Sequence, residues 1–281
     1  MRLFIIVAGV LCTAMLLPWA LPTDAAQKVD IFIYTDTVQW IGQAQAKEEA
    51  EVLAELLEDH ENRNGIGEIL LHGPAKEVEA WTKKHTVDKG HHIIVMFGDF
   101  PQEIYPNGKA DKKKGSVAEE FLDAGNTFSN SADYFFWGQG GRNEAAGLQN
   151  MMDIPDIVQW DDDTPMKVTK EGKEFTPTLD DYATDRPFHL DQLEGDWELE
   201  IAFATETGKG AGAARCDPCI IRNTETDARL IQVYQTANQD DPKGEVIAEI
   251  ILNYYLETVG ALEVDPQDKL PALWGDIKTR R

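Results

Sequence analysis

Four short polar stretches carry the residue types that chemistry would need: Asp36, Thr37 and Trp40; Asp99; Asn130 and Asp133; and Asn238, Gln239 and Asp240. Carboxylates and side-chain amides hydrogen-bond hydroxyls, and an indole such as Trp40 or Trp137 offers a flat apolar face to a sugar ring. The set points to binding of a carbohydrate or another small polar molecule. Asp36, Asp99 and Asp133 would also supply the pair of carboxyl groups that hydrolysis of a glycosidic bond requires. Asp, Asn and Gly equally cap helices and form turns at strand ends with no ligand involved. The same residues therefore admit a purely structural account.

Other motifs narrow the chemistry. Cys216-Asp217-Pro218-Cys219 has the Cys-x-x-Cys spacing of a redox pair or half of a zinc site. It runs directly into the strand-like Ile220-Ile221-Arg222, with no second pair and no histidine nearby in sequence. A local disulfide between Cys216 and Cys219 in an oxidising compartment is expected instead. Gly138-Gln139-Gly140-Gly141 lacks the spacing of a phosphate loop. The acidic runs Asp161-Asp162-Asp163, Asp180-Asp181 and Asp240-Asp241 lack the alternation of a calcium loop and read as solvated charge. The six histidines show neither His-x-x-x-His nor Glu-x-x-His spacing, and His91-His92 reads as the structural start of a strand. Neither a metal nor a cofactor is expected.

The polar stretches need elements to hold them. Val29 to Tyr34 is β-branched and aromatic and reads as a strand. Ala46, Ala50, Leu53, Ala54, Leu56 and Leu57 recur with helical spacing between Ile41 and His60. A short strand (Ile69 to His72), a helix (Pro74 to His85) and the apolar run His91 to Phe97 follow, the last broken by Gly98-Asp99. Ser116 to Ala124 reads as a helix and Asn126 to Asn130 as the next strand. Asn143 to Met151 reads as a short helix. Glu198 to Ala204, Cys219 to Asn223 and Leu230 to Thr236 read as later strands, and Lys243 to Thr258 as a closing helix. Strands separated by single helices imply an α/β fold with a mostly parallel sheet flanked by helices. Ligands in such folds bind outside the carboxyl ends of the strands, where the four polar stretches fall.

The organisation along the chain is expected to be simple. Residues 1–26 have a positive Arg2, an apolar core from Leu3 to Leu17 and a small-residue exit at Thr23-Asp24-Ala25-Ala26, the pattern of a secretory signal peptide. Cys12 is not preceded by a small residue, so no lipid anchor is expected there. The signal implies export to the periplasm or the extracellular space. Residues 27–260 read as one α/β domain with an irregular polar insertion at about 153–197, in which Lys167 to Phe175 alternates like an exposed hairpin. Residues 261–281 carry Leu270, Leu273 and Trp274 and read as a tail docked on the domain. Lys and Arg number 26 against 50 Asp and Glu, a net charge of −24. Nucleic acid and anionic membrane surfaces would repel such a chain. No apolar run after the signal approaches the roughly 20 residues of a membrane span. A protein partner remains compatible with this surface.

The strand-end pattern, with Phe121-Leu122-Asp123-Ala124-Gly125-Asn126 leading from helix to strand and a late strand ending at Gln235-Thr236 before a long helix, resembles the class I glutamine amidotransferase-like fold and its ThuA-like branch. The resemblance implies a flavodoxin-like α/β domain over most of residues 29–258. Members of the amidotransferase class carry a nucleophilic cysteine on a sharp turn after a strand, with a histidine and a glutamate after a later one. Here the first turn reads Ser129-Asn130-Ser131-Ala132-Asp133 and the second Gln235-Thr236-Ala237-Asn238-Gln239-Asp240. Neither thiol nor imidazole is present, and covalent glutaminase chemistry requires both. A non-catalytic protein that binds a small polar ligand is the expectation, with a sugar-processing hydrolase as the alternative.

Overall fold

The computed structural model describes residues 27–60, 64–88, 90–106, 115–132, 134–236, 238 and 240–260. The signal-peptide segment 1–26 and the tail 261–281 lie outside the described residues. The first half of the chain runs β1 (Val29–Tyr34), α1 (Gln43–Asp59), β2 (Ile66–Leu71), α2 (Ala75–His85), β3 (Ile93–Phe97), α3 (Val117–Asp123), β4 (Thr127–Ser131) and α4 (Ala146–Met152). It continues with β5 (Thr164–Val168), α5 (Lys170–Phe175), β6 (Tyr182–Thr184), β7 (Phe188–His189), β8 (Trp197–Ala202), β9 (Ala204–Thr205) and β10 (Arg215–Cys216). β11 (Cys219–Asn223), β12 (Arg229–Val233) and α6 (Lys243–Ile250) close it, α6 continuing through a π-helical turn at Ile251–Tyr255.

One seven-stranded sheet has the order β2-β1-β3-β4-β12-β11-β8. Its first five strands are parallel, whereas β11 and β8 run antiparallel. The sheet is thus mixed, an α/β sheet with an antiparallel edge. Strand alternation sends Ile31 and Ile33 to one face, where they meet Ala46, Ala50 and Leu53 of α1 and Val246 and Ile250 of α6. Phe32 and Tyr34 go to the other face, against Val78 and Trp81 of α2 and Phe121 of α3. Helices therefore cover both faces, and the carboxyl ends of the parallel strands are left to loops.

The segment expected to be irregular, about 153–197, carries short regular elements between its loops. β5, β6 and β7 join β9 and β10 in a second, five-stranded sheet of order β6-β5-β9-β10-β7. The alternation from Lys167 to Phe175 is not a hairpin: β5 ends at Val168, and Thr169 caps α5 by accepting from the Gly172 N–H at 2.9 Å. Four of these strands are only two or three residues long, too short to show a period, and the sheet is assembled from pieces far apart in sequence. Its apolar side chains join the clusters of the main sheet, Met166, Leu179 and Phe203 on the α6 side and Phe188 on the other.

Two glycines set how closely the site-bearing loops approach. Gly98 has φ 131°, and a Cβ there would lie 2.6 Å from the Thr37 carbonyl oxygen. A Cβ on Gly147 would lie 2.0 Å from the carbonyl oxygen of Phe136, which seats α4 against the loop after β4. Because the obstacle is backbone, Gly147→Ala is expected to cost about 1–3 kcal/mol, the usual penalty of overpacking. Urea unfolding of the two proteins measures it, and an unchanged midpoint would show that α4 does not rest on that carbonyl.

Candidate functional site

The ends of β4 and β12 are bent together. Ala132, the first residue after β4, has φ 68°, and its N–H donates to the Tyr234 carbonyl at 3.1 Å. Tyr234, the first residue after β12, has φ 48°. Both are left-handed conformations that side-chain-bearing residues seldom adopt. The two turns open a cleft of about 90 Å³ between Ala132 and Tyr134 on one side and Gln235 and Thr236 on the other. Trp40, from the loop after β1, and Asp185 and Arg186, from the loop between β6 and β7, complete its lining.

Gln235 is the polar centre of this cleft. Its N–H donates to Asp217 Oδ2 at 2.8 Å, and its Nε2 donates to the Asn130 carbonyl at 2.7 Å. A carbonyl can only accept, so this bond fixes which end of the amide is which. Gln235 Oε1 is left buried with no hydrogen-bond partner, on a residue only 1% exposed. A buried acceptor without a donor costs about 1–3 kcal/mol.

Beneath Gln235 lies Asp217, fully buried in the loop between β10 and β11. Thr184 Oγ1 donates to its Oδ2 at 2.5 Å, and the Tyr182 hydroxyl donates to its backbone oxygen at 2.6 Å. Its Oδ1 has no partner. Burial pushes this carboxyl up to about 6, against the lowering effect of its hydrogen bonds. The second sheet thus reaches the strand ends through one buried acid.

Aromatic rings wall the cleft. Tyr134 stacks on Trp137 with centroids 4.2 Å apart and faces Trp160 at 5.9 Å. The Arg186 guanidinium lies 4.5 Å from the Tyr134 ring centre and 4.7 Å from that of Trp160, a double cation–π contact. Its Nη1 donates to the Asp161 carbonyl at 3.0 Å. Trp40 and Trp160 are 53% and 57% exposed, unusual for indoles without a partner. On the far side of Tyr134 a second, apolar cleft of about 270 Å³ runs between the loop after β4, α4 and Ile157 to Trp160.

The residues expected from the sequence are only partly brought together. Trp40 lines the polar cleft and Trp137 the apolar one. Thr37 and Asp99 tie the tips of β1 and β3: the Asp99 N–H donates to the Thr37 carbonyl at 3.0 Å, and Thr37 Oγ1 donates back to the Asp99 carbonyl at 2.8 Å. Asp99 is 1% exposed and Asp36 is exposed, and neither lines the cleft. Asn130 lends Gln235 its carbonyl from a buried position. Asn238 and Asp240 form a turn leading into α6, with the Asp240 N–H donating to Asn238 Oδ1 at 3.3 Å. Asp133 and Gln239 lie outside the described residues. Asp185, Arg186 and Asp217 were missed, since an Asp-Arg pair ahead of Pro187 in a polar segment carries no distinguishing pattern.

Two clusters bear on metal binding. Cys216 and Cys219 are free, buried thiols, not the expected disulfide, and Cys219 Sγ donates to the Cys216 carbonyl at 3.7 Å. Burial raises both thiols, which disfavours the thiolate that a metal or redox chemistry would use. Asp30, His85 and His92 gather at the opposite end of the main sheet with ligand atoms within 4.8 Å of one another. There His92 Nδ1 already accepts from the Asp30 N–H at 2.9 Å, and Nε2 faces Asp88 Oδ1 at 3.0 Å. One ring nitrogen pins β1 to the residue before β3, and the other ties that residue to the turn after α2. Among the described residues no helix is long and apolar enough to cross a membrane.

No family model and no curated protein matches the chain. Among solved structures, a Bacteroides uniformis protein described as ThuA-like aligns with a TM-score of 0.42 and 10% identity, covering 82% of this chain and 92% of that one. The α/β fold class rests on the sheet order itself.

The buried acid makes a pH signature. With its carboxyl near 6 in the folded state against an ordinary 3.8, the native protein holds the Asp217 proton where the unfolded chain has lost it. This contribution to stability is fully present below about pH 4 and is lost as pH rises through about 6. The difference amounts to about 3 kcal/mol. Asp217→Asn keeps an acceptor for Thr184 and Gln235 but cannot ionise. Its stability relative to the native protein is therefore expected to improve between pH 4 and pH 7 in parallel denaturant titrations. A difference independent of pH would show that Asp217 does not titrate in this window.

Proposed function

We propose that this chain is an exported, non-catalytic binding protein of the amidotransferase-like, ThuA-like α/β class, and that its strand-end cleft takes a carbohydrate or a similar small polar ligand. The observation that carries this reading is a cleft whose wall sets the polar residues Asp185, Arg186, Gln235 and Thr236 beside the exposed indole of Trp40. Carboxylate, guanidinium and hydroxyl groups are the partners that sugar hydroxyls take. Trp40 supplies an exposed flat face, and Arg186 a cation held in place by the rings it lies against.

The sharp turn after β4, where the amidotransferase class carries its cysteine, is occupied by the methyl group of Ala132. The turn after β12 has Gln235 and Thr236 in place of histidine. Neither turn offers the thiol or imidazole that covalent chemistry of that class would need. Hydrolysis by Asp36, Asp99 and Asp133 gains no support from the placement of the first two, which do not line the cleft. Export rests on the pattern of residues 1–26, and the net charge of −24 argues against nucleic acid as the ligand.

Calorimetric titration against a panel of methyl glycosides tests the proposal. A sugar that binds should stabilise the fold by about 2.7 kcal/mol at a hundredfold excess over Kd. Trp40→Ala should weaken that binding about tenfold, the loss of one stacking face, and leave the melting temperature unchanged because Trp40 is exposed. Absence of binding to every sugar in the panel would refute the carbohydrate reading.

A further inference from the structure

We propose that the apolar cleft behind Tyr134 is a second subsite for the same ligand and receives a planar aromatic substituent, so that the ligand class is an aryl glycoside and not a free sugar. This rests on the reading of the strand-end cleft given above. Tyr134 lines both clefts, so the two compartments adjoin at one side chain. Arg186 and Trp160 lie against that same ring.

The chemistry of the two compartments is opposite. The polar one offers Asp185, Arg186 and Thr236. The second is walled by Phe135, Trp137, Leu148, Ile157, Val158 and Trp160. The polar residue in its wall, Gln159, is already satisfied: its Oε1 accepts from the Phe135 N–H at 3.0 Å and its Nε2 donates to Gln232. Glu144, exposed at the end of the lining, is the one charged residue there. The amide of the wall is thus committed and its one carboxylate is exposed, whereas four aromatic side chains offer rings. An apolar cavity of about 150 Å³ takes benzene. At about 270 Å³ this cleft has room for a substituted ring.

Three residues in or beside the walls of the two compartments have left-handed backbone, as do residues elsewhere in the fold. Ala132, Phe136 and Glu144 have φ of 68°, 57° and 50°. Non-glycine residues in that region persist where packing over-determines them, and they cluster at ligand clamps.

Calorimetry on the full protein with matched pairs of methyl and phenyl glycosides of the same sugars tests the inference. The phenyl glycoside is expected to bind at least tenfold more tightly than its methyl counterpart. Val158→Trp, which fills the apolar cleft, should erase that advantage while leaving the methyl glycoside's affinity unchanged. Ala145→Leu, which intrudes from α4, serves as a second filling variant should the first fold poorly. Equal affinities of the methyl and phenyl partners would overturn the second subsite and leave the strand-end cleft standing. If no glycoside of either kind binds, or free phenol binds as well as the phenyl glycosides, the strand-end reading fails and this inference with it.

Discussion

The joint between the two sheets depends on the hydrogen bonds that converge on Asp217 and Gln235. A parallel sheet leaves its carboxyl ends open, and something must hold the loops that gather there. In this chain the buried acid Asp217, fastened to Thr184 of β6, accepts the Gln235 N–H just beyond β12. Gln235 in turn grips the Asn130 carbonyl of β4. Three elements distant in sequence are locked by two side chains, both removed from solvent. Such bonds are worth more in a low-dielectric interior than at the surface, and each is correspondingly expensive to leave incomplete. The unpartnered oxygens of Asp217 and Gln235 are the incomplete part.

That incompleteness gives the cleft its character. The backbone at Ala132 and Tyr234 is held in unfavourable left-handed turns. Between them the wall carries the methyl group of Ala132, the polar side chains of Asp185, Gln235 and Thr236, and a guanidinium held against two rings. The amide chain from Gln159 through Gln232 to the Cys216 carbonyl extends the same buried polar layer beneath the apolar cleft.

The parallel half of the fold is legible in the sequence because its signals are long. β1 and β11 match the expected spans, and the α1 periodicity of Ala46, Ala50, Leu53 and Leu57 predicts its buried face. The second sheet is not legible. β7, β9 and β10 have two residues each, and β5 begins with Thr164-Pro165, which reads as a turn. The site suffers for the same reason. Asp36, Asp99 and Asp240 are conspicuous as acids, yet strand-end acids serve turns and ties as readily as ligands. Gln235 was visible at its strand end, but its free oxygen follows from partners on three other segments. Arg186 reaches the cleft only because the second sheet exists.

The most direct test of the account is the side-chain amide of Gln235 followed by ¹⁵N–¹H correlation spectroscopy during a glycoside titration. The account predicts a saturating shift of the Gln235 amide and of the Trp40 indole, with the same Kd at both. Saturable binding that leaves both signals in place would contradict it, because the ligand would then lie elsewhere on the protein.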